Sequence, residues 1–192
     1  MKRITAVILV MLLLTGCTGK RDELDRAMKL RANLLGCLGC SFDVAITADY
    51  GDEVHQFAMG CEADGRGNLQ FTVTQPESIA GITGSISSGE GKLTFDDTVL
   101  QFPLLADDQV TPISGPWILM KTLLGGYLTA ANEEEDLLHL TINDSYEEDA
   151  LQMEIWLNGE NMPVCGEILY DGRRIVTMNV ENFQIRLLLR AF

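Results

Sequence analysis

Residues 41–61, "SFDVAITADYGDEVHQFAMGC", decide the fold. From Phe42 to Tyr50 an apolar side chain stands at every second position, and polar residues such as Asp43 lie between them. This period of two is typical of a β-strand with one buried face. Gly51-Asp52 predicts a turn, after which the alternation resumes in "VHQFAMGC". The stretch therefore predicts two neighbouring antiparallel strands.

The same pattern continues on both sides of a break near residue 103. Before the break we predict strands in "LQFTV", "SIAGITGSIS", "GKLTF" and "TVLQF". After it we predict strands in "LLHLTI", "ALQMEIWL", "MPVCGEILY", "RIVTMNV" and "NFQIRLLL". Asn158-Gly159 and Asp171-Gly172 are strong two-residue hairpin signals. The chain is therefore expected to be α+β, with an antiparallel meander of about eleven strands.

Two segments have helical character instead. Asp22 to Leu38 has helical spacing, with these apolar residues on one side: Leu24, Ala27, Met28, Leu34, Leu35 and Leu38. "WILMKTLLGGYLTAA" (117–131) predicts a mid-chain helix after a loop that ends at Pro116. Gly125-Gly126 is expected to weaken the second half of that helix.

The N-terminus predicts where in the cell the protein is located. Met1-Lys2-Arg3 is basic, and residues 4–14 form an uncharged apolar run. That run is shorter than the ~20 residues that a membrane-spanning helix requires, and it has the length found in secretory signals. Leu14-Thr15-Gly16-Cys17 then resembles the lipobox of bacterial lipoproteins, in which a diacylglycerol is joined to the cysteine by a thioether. The alternative is an ordinary signal peptide with a chance cysteine.

These observations divide the chain into three parts. We expect a lipoprotein signal peptide at 1–16, a short tether at 17–21 beginning at lipidated Cys17, and one domain at 22–192. The expected location is the extracytoplasmic face of the cell membrane, where the lipid anchors the protein.

The charge excludes one class of partner. The chain has 14 basic and 28 acidic side chains and a formal net charge of −14. Nucleic acid is not expected to bind, because its binding relies on clustered cations. Five cations lie close to the anchor: Lys20, Arg21, Arg26, Lys29 and Arg31. They would attract anionic headgroups and orient the domain, or they belong to a solvated amphipathic helix without an orienting role.

The order of elements, together with "GEILYDGRRIVTMNVENF" (166–183), resembles the LolA-like group. That group includes lipoprotein carriers, the LolB and LppX/LprG-type lipoproteins, and envelope-stress sensors. The resemblance implies an unclosed half-barrel curled around helices. It also implies an apolar hollow that holds lipid chains or acylated peptides.

Aromatic and methionine side chains are the candidates for lining such a hollow, because methionine adapts to irregular apolar ligands. The candidate ligand-binding residues are Trp117, Met120, Leu124, Tyr127 and Trp156. Simple core packing is the alternative role. Trp156 shares its strand face with Gln152 and Glu154, which suggests either a strand buried on both faces or exposure at a binding rim.

Four cysteines besides Cys17 could carry chemistry: Cys37, Cys40, Cys61 and Cys165. Cys37-Leu38-Gly39-Cys40 has redox spacing, but it follows a predicted helix, whereas redox cysteines lie at helix N-termini. A four-thiolate metal site lacks a second CxxC. Structural disulfides or free thiols are favoured over redox and metal functions, and the sequence leaves three disulfide pairings open.

Other catalytic signals are weak. His55 and His139 are the two histidines, and no HExxH, GxSxG or P-loop pattern occurs. The acidic clusters 133–136 and 147–149 lack the spacing of a calcium loop and predict solvated turns. We therefore expect no enzymatic activity, no metal, and no cofactor apart from the diacylglycerol on Cys17.

The leading functional hypothesis is a lipid-anchored protein that binds a lipophilic ligand in an apolar hollow beneath the helix around Trp117–Tyr127. The first alternative is an envelope or sporulation-related protein-interaction module whose interior is filled by its own side chains. The second alternative is a CxxC thiol-redox protein. The expected partners are the membrane, a lipophilic ligand and an envelope protein.

Overall fold

The computed structural model describes residues 19–95, 98–106, 109–147 and 150–187. Cys17, the predicted lipidation site, and the signal peptide at 1–16 lie outside these residues. The tether at 17–21 is described only from Gly19 onward.

The chain begins with helix α1 (Gly19–Leu35) and continues into a long series of strands. The first series is β1 (Cys37–Asp49), β2 (Val54–Ala63), β3 (Leu69–Gln75), β4 (Thr83–Ser87), β5 (Glu90–Phe95), β6 (Thr98–Pro103), β7 (Leu105–Ala106) and β8 (Gln109–Val110). A 3₁₀ turn (Pro112–Ser114) leads into helix α2 (Gly115–Gly125). The second series is β9 (Tyr127–Glu134), β10 (Leu137–Asn143), β11 (Gln152–Leu157), β12 (Pro163–Tyr170) and β13 (Arg173–Leu187).

Within the described residues, eleven strands form one antiparallel sheet in the order β6-β5-β4-β3-β2-β1-β13-β12-β11-β10-β9. Each half is a meander of sequential neighbours. The halves join where the first strand pairs with the last, for example Val44 with Val180 and Ile46 with Met178. The sheet does not close, so β6 and β9 remain as its two edges. The predicted fold class, with one N-terminal and one mid-chain helix, is confirmed.

Both helices lie on one face of the sheet, which we call the core face; the opposite face is the outer face. Helix α1 contacts β9, β1 and β13, and α2 contacts β10 and β13. The alternation read from residues 41–61 sets the orientation of β1, because Phe42, Val44 and Ile46 are each 2 % exposed on the core face. Asp43 and Asp49 on the outer face are exposed.

The buried side of α1 differs from the predicted one. Ala27, Leu30 and Leu34 are buried at spacings of three and four residues. The other apolar residues that were predicted to share this side are exposed: Leu24, Met28, Leu35 and Leu38. Leu38 also lies in β1 rather than in the helix. The prediction was wrong because the hydrophobic residues form two adjacent stripes, and the sheet covers one of them.

Helix α2 is shorter than predicted. It ends at Gly125, and residues 127–134, predicted to continue the helix as far as 131, form strand β9. Gly126 packs closely against neighbouring residues. A Cβ atom there would lie 2.5 Å from Ile142 Cγ2 and 2.9 Å from the carbonyl oxygen of Thr122. Close packing at Gly126 therefore fixes the change from helix to strand.

Arg31 of α1 joins the two helices. Its Nε donates to the carbonyl oxygen of Leu123 at 2.7 Å, and its Nη2 donates to those of Gly126 at 2.9 Å and Thr122 at 3.1 Å. The last carbonyls of a helix have no partner within the helix. Arg31 supplies that partner and holds α2 against α1.

Within the described residues, neither helix combines the length and apolar content that a membrane crossing would need.

Candidate functional site

The core face beneath α2 is filled by side chains of the protein itself. Leu119, Met120 and Leu123 are at most 3 % exposed. Met120, a candidate ligand-binding residue, packs inward with its Sδ 3.9 Å from Cys40 Sγ. Met153 and Met178 on the sheet below are 0 % exposed. The methionines in this region therefore pack the core.

The two other candidate residues of α2 flank this packed region. Trp117 is half-buried, and Lys121 Nζ lies 5.5 Å from its ring centroid. Leu124 is half-buried, and its Cδ1 would lie 3.7 Å from a Cβ atom at Gly67. Trp117 and Leu124 therefore lie at different positions along α2, each at the border of the packed region.

The remaining two candidates lie apart from the helix interior. Tyr127 is 38 % exposed and contacts Tyr146, with 3.6 Å between the ring centroids. Trp156 lies on the outer face, opposite the buried Ile155 and Leu157. The structure therefore does not bring the five predicted residues together around one hollow.

Trp156 instead belongs to a polar network on the outer face that the sequence analysis missed. Its indole stacks on His139, with centroids 4.5 Å apart and an angle of 3° between the planes. Its Nε1 donates to Glu134 Oε2 at 2.9 Å. Glu154 is 9 % exposed, accepts a hydrogen bond from Thr141 Oγ1 at 2.8 Å, and also contacts His139 Nε2 and Gln152 Nε2.

This network is satisfied by its own members. A buried carboxylate that has three partners rigidifies the strands that carry it, and breaking its hydrogen bonds is costly. Within the described ranges, no three His, Cys, Asp or Glu side chains are placed to hold a metal ion. The sequence did contain one signal for this network, the period-two spacing of Gln152, Glu154 and Trp156. That spacing shows that the three side chains share a strand face, but it does not identify their partners on neighbouring strands.

Four free thiols occur in the described part of the chain: Cys37, Cys40, Cys61 and Cys165. Burial raises the pKa of Cys40 to about 12, and burial also raises the pKa values of Cys61 and Cys165. Cys37 Sγ donates to the carbonyl oxygen of Leu34 at 3.0 Å. A thiol with a raised pKa remains protonated and is a poor nucleophile, so this environment does not activate Cys40.

A polar groove of about 640 Å³ crosses the outer face from β13 to β5. Hydroxyl groups line it along neighbouring strands, among them Thr72, Thr83 and Thr94. At one end Asn182, in a left-handed conformation with a φ of 54°, donates from Nδ2 to Asp43 Oδ2 at 2.7 Å. The groove offers mainly hydrogen-bonding groups, and Phe42, Cys61 and Phe71 also border it.

An exposed apolar surface of the sheet lies on the hairpin formed by β5 and β6. Phe95 is 53 % exposed, and Val99 and Leu100 are each 60 % exposed. Strand β6 pairs with β5 on one side, and among the described residues no strand pairs with its other side. Residues 98–103, "TVLQFP", contain no charged side chain. We call this strand the open edge.

The other edge of the sheet, β9, is covered, and we call it the closed edge. Helix α1 lies against β9. Arg26 Nη1 of α1 forms an ion pair with Glu133 Oε1 at 3.0 Å. Its Nε also donates to Asn161 Oδ1 at 2.7 Å, which ties the helix to the turn between β11 and β12.

No protein-family model matches the chain, and no curated protein matches it. Solved structures do resemble it. A LolA superfamily protein from Nitrosomonas europaea has a TM-score of 0.43 and 12 % identity, with 84 % of this chain and 94 % of that chain covered. A chain in the Clostridioides difficile complex of the CwlD amidase with the GerS lipoprotein has a TM-score of 0.46 and 13 % identity, with 83 % and 93 % covered.

The Mycobacterium tuberculosis lipoprotein LppX has a TM-score of 0.40 and 11 % identity, with 84 % of this chain and 93 % of that chain covered. The LolA-like group named from the sequence is therefore among the structures that this chain resembles. Likenesses of this size do not define a shared function.

Proposed function

We propose that this protein is a non-catalytic binding module, anchored by a lipid at Cys17 to the extracytoplasmic face of the cell membrane, which binds a protein partner along its open edge. The observation that carries this proposal is the exposure of Thr98–Pro103, an uncharged terminal strand with apolar side chains on both faces. This is the protein-interaction alternative from the sequence, now assigned to one strand.

An edge strand is suited to this function because its outer row of backbone N–H and C=O groups has no partner in the sheet. An extended segment of another protein can pair with that row, while alternate side chains of the edge supply specificity. Natural proteins usually protect such edges with charges, bulges or a covering element. Within β6 we find such protection only at its last residue, Pro103, so the edge is available for pairing.

The position of the edge fits an anchored protein. Helix α1 follows Cys17 closely in sequence and packs on β9, β1 and β13. Strand β6 lies five strands away from β1 in the sheet order, which is about 24 Å at the ~4.8 Å spacing of paired strands. The open edge is therefore remote from the anchored helix and accessible to a partner.

The test is capture of a partner from the cell envelope by full-length protein and by two separate variants, Val99→Lys and Leu100→Lys. A lysine on either face of an edge strand opposes pairing. Both variants should lose a stoichiometric partner that the parent retains. In the captured complex, the backbone amides of residues 98–102 should become protected from hydrogen exchange.

The matched control is Asn132→Lys, which places the same charge on the exposed part of the closed edge. It should retain the partner. If all three variants retain the partner, or all three lose it equally, the open edge is not the binding site.

A second candidate function is binding of a lipophilic ligand, which was the leading hypothesis from the sequence. One observation favours it. The register places Leu100 opposite Leu93 and Phe102 opposite Gly91, so the core face continues onto the hairpin beyond the packed interior. Leu100 on that face is 60 % exposed. An acyl chain lying there would gain about 0.8 kcal/mol for each buried methylene.

The same variants distinguish this candidate from the first, because Leu100 and Val99 point to opposite faces of β6. Binding of a fluorescent fatty-acyl probe should be lost in Leu100→Lys and retained in Val99→Lys. An absence of probe binding to the parent protein, or equal binding by both variants, would contradict a lipid site on this face.

A further inference from the structure

Helix α1 carries a second stripe of apolar residues that faces away from the sheet. Leu24 is 45 % exposed, Met28 is 46 % exposed and Leu35 is 57 % exposed. Their spacing of four and seven residues places them on one side of the helix. This outward stripe borders the buried stripe of Ala27, Leu30 and Leu34 described above.

Two further exposed leucines lie beyond the C-terminal end of α1. Leu38, near the start of β1, is 61 % exposed, and Leu187, which pairs in register with Cys37, is 60 % exposed. Isolated exposed leucines are ordinary, whereas a contiguous group of large apolar side chains marks a surface that another phase or molecule covers.

We propose that the outward stripe of α1 lies in the headgroup region of the membrane that holds the lipid anchor. This inference rests on the proposed lipidation of Cys17. Gly19, the first residue of α1, is two residues after Cys17, a distance of at most about 7 Å at 3.5 Å per residue. A chain anchored there has the N-terminus of its first helix at the bilayer surface, whichever way the domain is turned.

The dimensions of the stripe fit an interfacial helix. Leu24 to Leu35 spans eleven residues, which is about 16 Å along the helix axis. A helix lying in the membrane plane buries its apolar side about 5–10 Å into the boundary between headgroups and acyl chains. The three side chains can enter this layer while the buried stripe remains on the sheet.

The charges favour the membrane over a second copy of the chain as the occupant. The sequence of α1 contains five basic and three acidic residues, whereas the whole chain has a net charge of −14. Arg26 and Arg31 are engaged within the protein, and Lys29, Asp22 and Asp25 are exposed on the same helix. Anionic headgroups attract the net positive charge of α1 and repel the acidic remainder of the chain. A second copy would instead bring like charge to the contact.

The experiment uses full-length lipidated protein in vesicles of phosphatidylcholine and phosphatidylglycerol with brominated acyl chains, which quench tryptophan fluorescence at short range. Met28→Trp places an indole on the outward stripe. Asn33→Trp, the matched control, places one at an exposed position on another side of the same helix. The parent protein, with Trp117 and Trp156, provides the background signal, and thermal unfolding confirms that both variants are folded.

We expect the introduced indole at position 28 to be quenched at least about twofold more strongly than the one at position 33, because it lies within the lipid layer. Equal or weaker quenching at position 28, in protein that carries the diacylglycerol and floats with the vesicles, would overturn this inference alone. Protein whose Cys17 lacks the diacylglycerol mass would instead overturn the proposed anchor and, with it, the inference.

Discussion

The closed edge β9 and the open edge β6 terminate the same sheet, yet they are built differently. Strand β9 has Glu133 and Glu134 near its end, lies under α1, and is tied to that helix through Arg26. Strand β6 has no charged residue in Thr98–Pro103, and its apolar side chains Val99 and Leu100 face solvent. The difference shows that only one of the two edges of this sheet is protected against pairing with another strand.

The reason is the placement of the helices. Both α1 and α2 pack on the strands of the second meander and on β1, so the first meander extends beyond their cover. Covering an edge removes a site for pairing, and leaving an edge uncovered preserves one. The closed edge therefore belongs to the stable body of the domain, and the open edge belongs to the surface proposed for binding.

The largest expected difference is between the open edge and the packed core, and it is a difference in thiol reactivity. In Leu100→Cys the introduced thiol replaces a 60 % exposed side chain and should have an ordinary pKa near 8.5, whereas Cys40 has a pKa of about 12. At pH 8 the thiolate fraction, which is the reactive form, should differ by roughly 10³. Mass spectrometry after iodoacetamide treatment measures both rates. Equal rates would show that the core around Cys40 opens freely.

The next effect is on stability. Leu140→Ala in β10 removes a side chain that is 1 % exposed and should lower the free energy of unfolding by about 2–5 kcal/mol. Leu100→Ala, the same substitution on the open edge, should change it by less than about 0.5 kcal/mol. Urea unfolding measures both values. A similar loss in the two variants would mean that the hairpin belongs to the packed core.

Arg31→Ala should have a somewhat smaller effect, a loss of about 2–3 kcal/mol. The substitution leaves three carbonyl oxygens at the end of α2 without their charged donor. Thermal or urea unfolding measures the loss. Arg31→Lys should recover only part of it, because an ammonium lacks the fork of donors that a guanidinium offers. Full recovery by lysine would show that charge, rather than the three hydrogen bonds, joins the helices.

Arg26→Ala should have the smallest effect, a loss of about 1 kcal/mol, together with faster hydrogen exchange in β9. The half-buried guanidinium bridges Glu133 and Asn161 and holds α1 over the closed edge. Arg174→Ala is the control, since it removes an ion pair to Glu167 from a side chain that is 61 % exposed. An equal effect of the two substitutions would mean that Arg26 does not close the edge.

The sequence predicted the sheet well because a period of two is a local signal. Alternation from Phe42 to Ala48 correctly identified the core face, and one antiparallel sheet of eleven strands is confirmed for the residues described. Two details differ from the prediction: "RIVTMNV" and the described part of "NFQIRLLL" belong to the single strand β13, and β9 was predicted as helix. The predicted end of α2 was wrong because the helix was extended through Gly125-Gly126 to residue 131. The close approach of Gly126 to Ile142, which starts a strand there, comes from tertiary packing.

The candidate sites were harder to predict because they depend on which strands become neighbours. Trp156 was recognised as unusual, but its stack on His139 requires the pairing of β10 with β11. The open edge could not be predicted either. The sequence "TVLQF" predicts an ordinary strand, and only the order of strands in the sheet shows that it lies at the edge. The side of α1 that the sheet covers could not be chosen from two adjacent apolar stripes.

Hydrogen exchange at the two edge strands tests the central claim most directly, with the protein measured alone and in the complex captured from the envelope. The account predicts that amides of residues 98–102 exchange faster than those of Tyr127–Glu134 in the free protein. In the complex, the amides of the open edge should become protected while those of β9 are unchanged. Slow exchange at both edges in the free protein, or protection that appears only at β9, would contradict it.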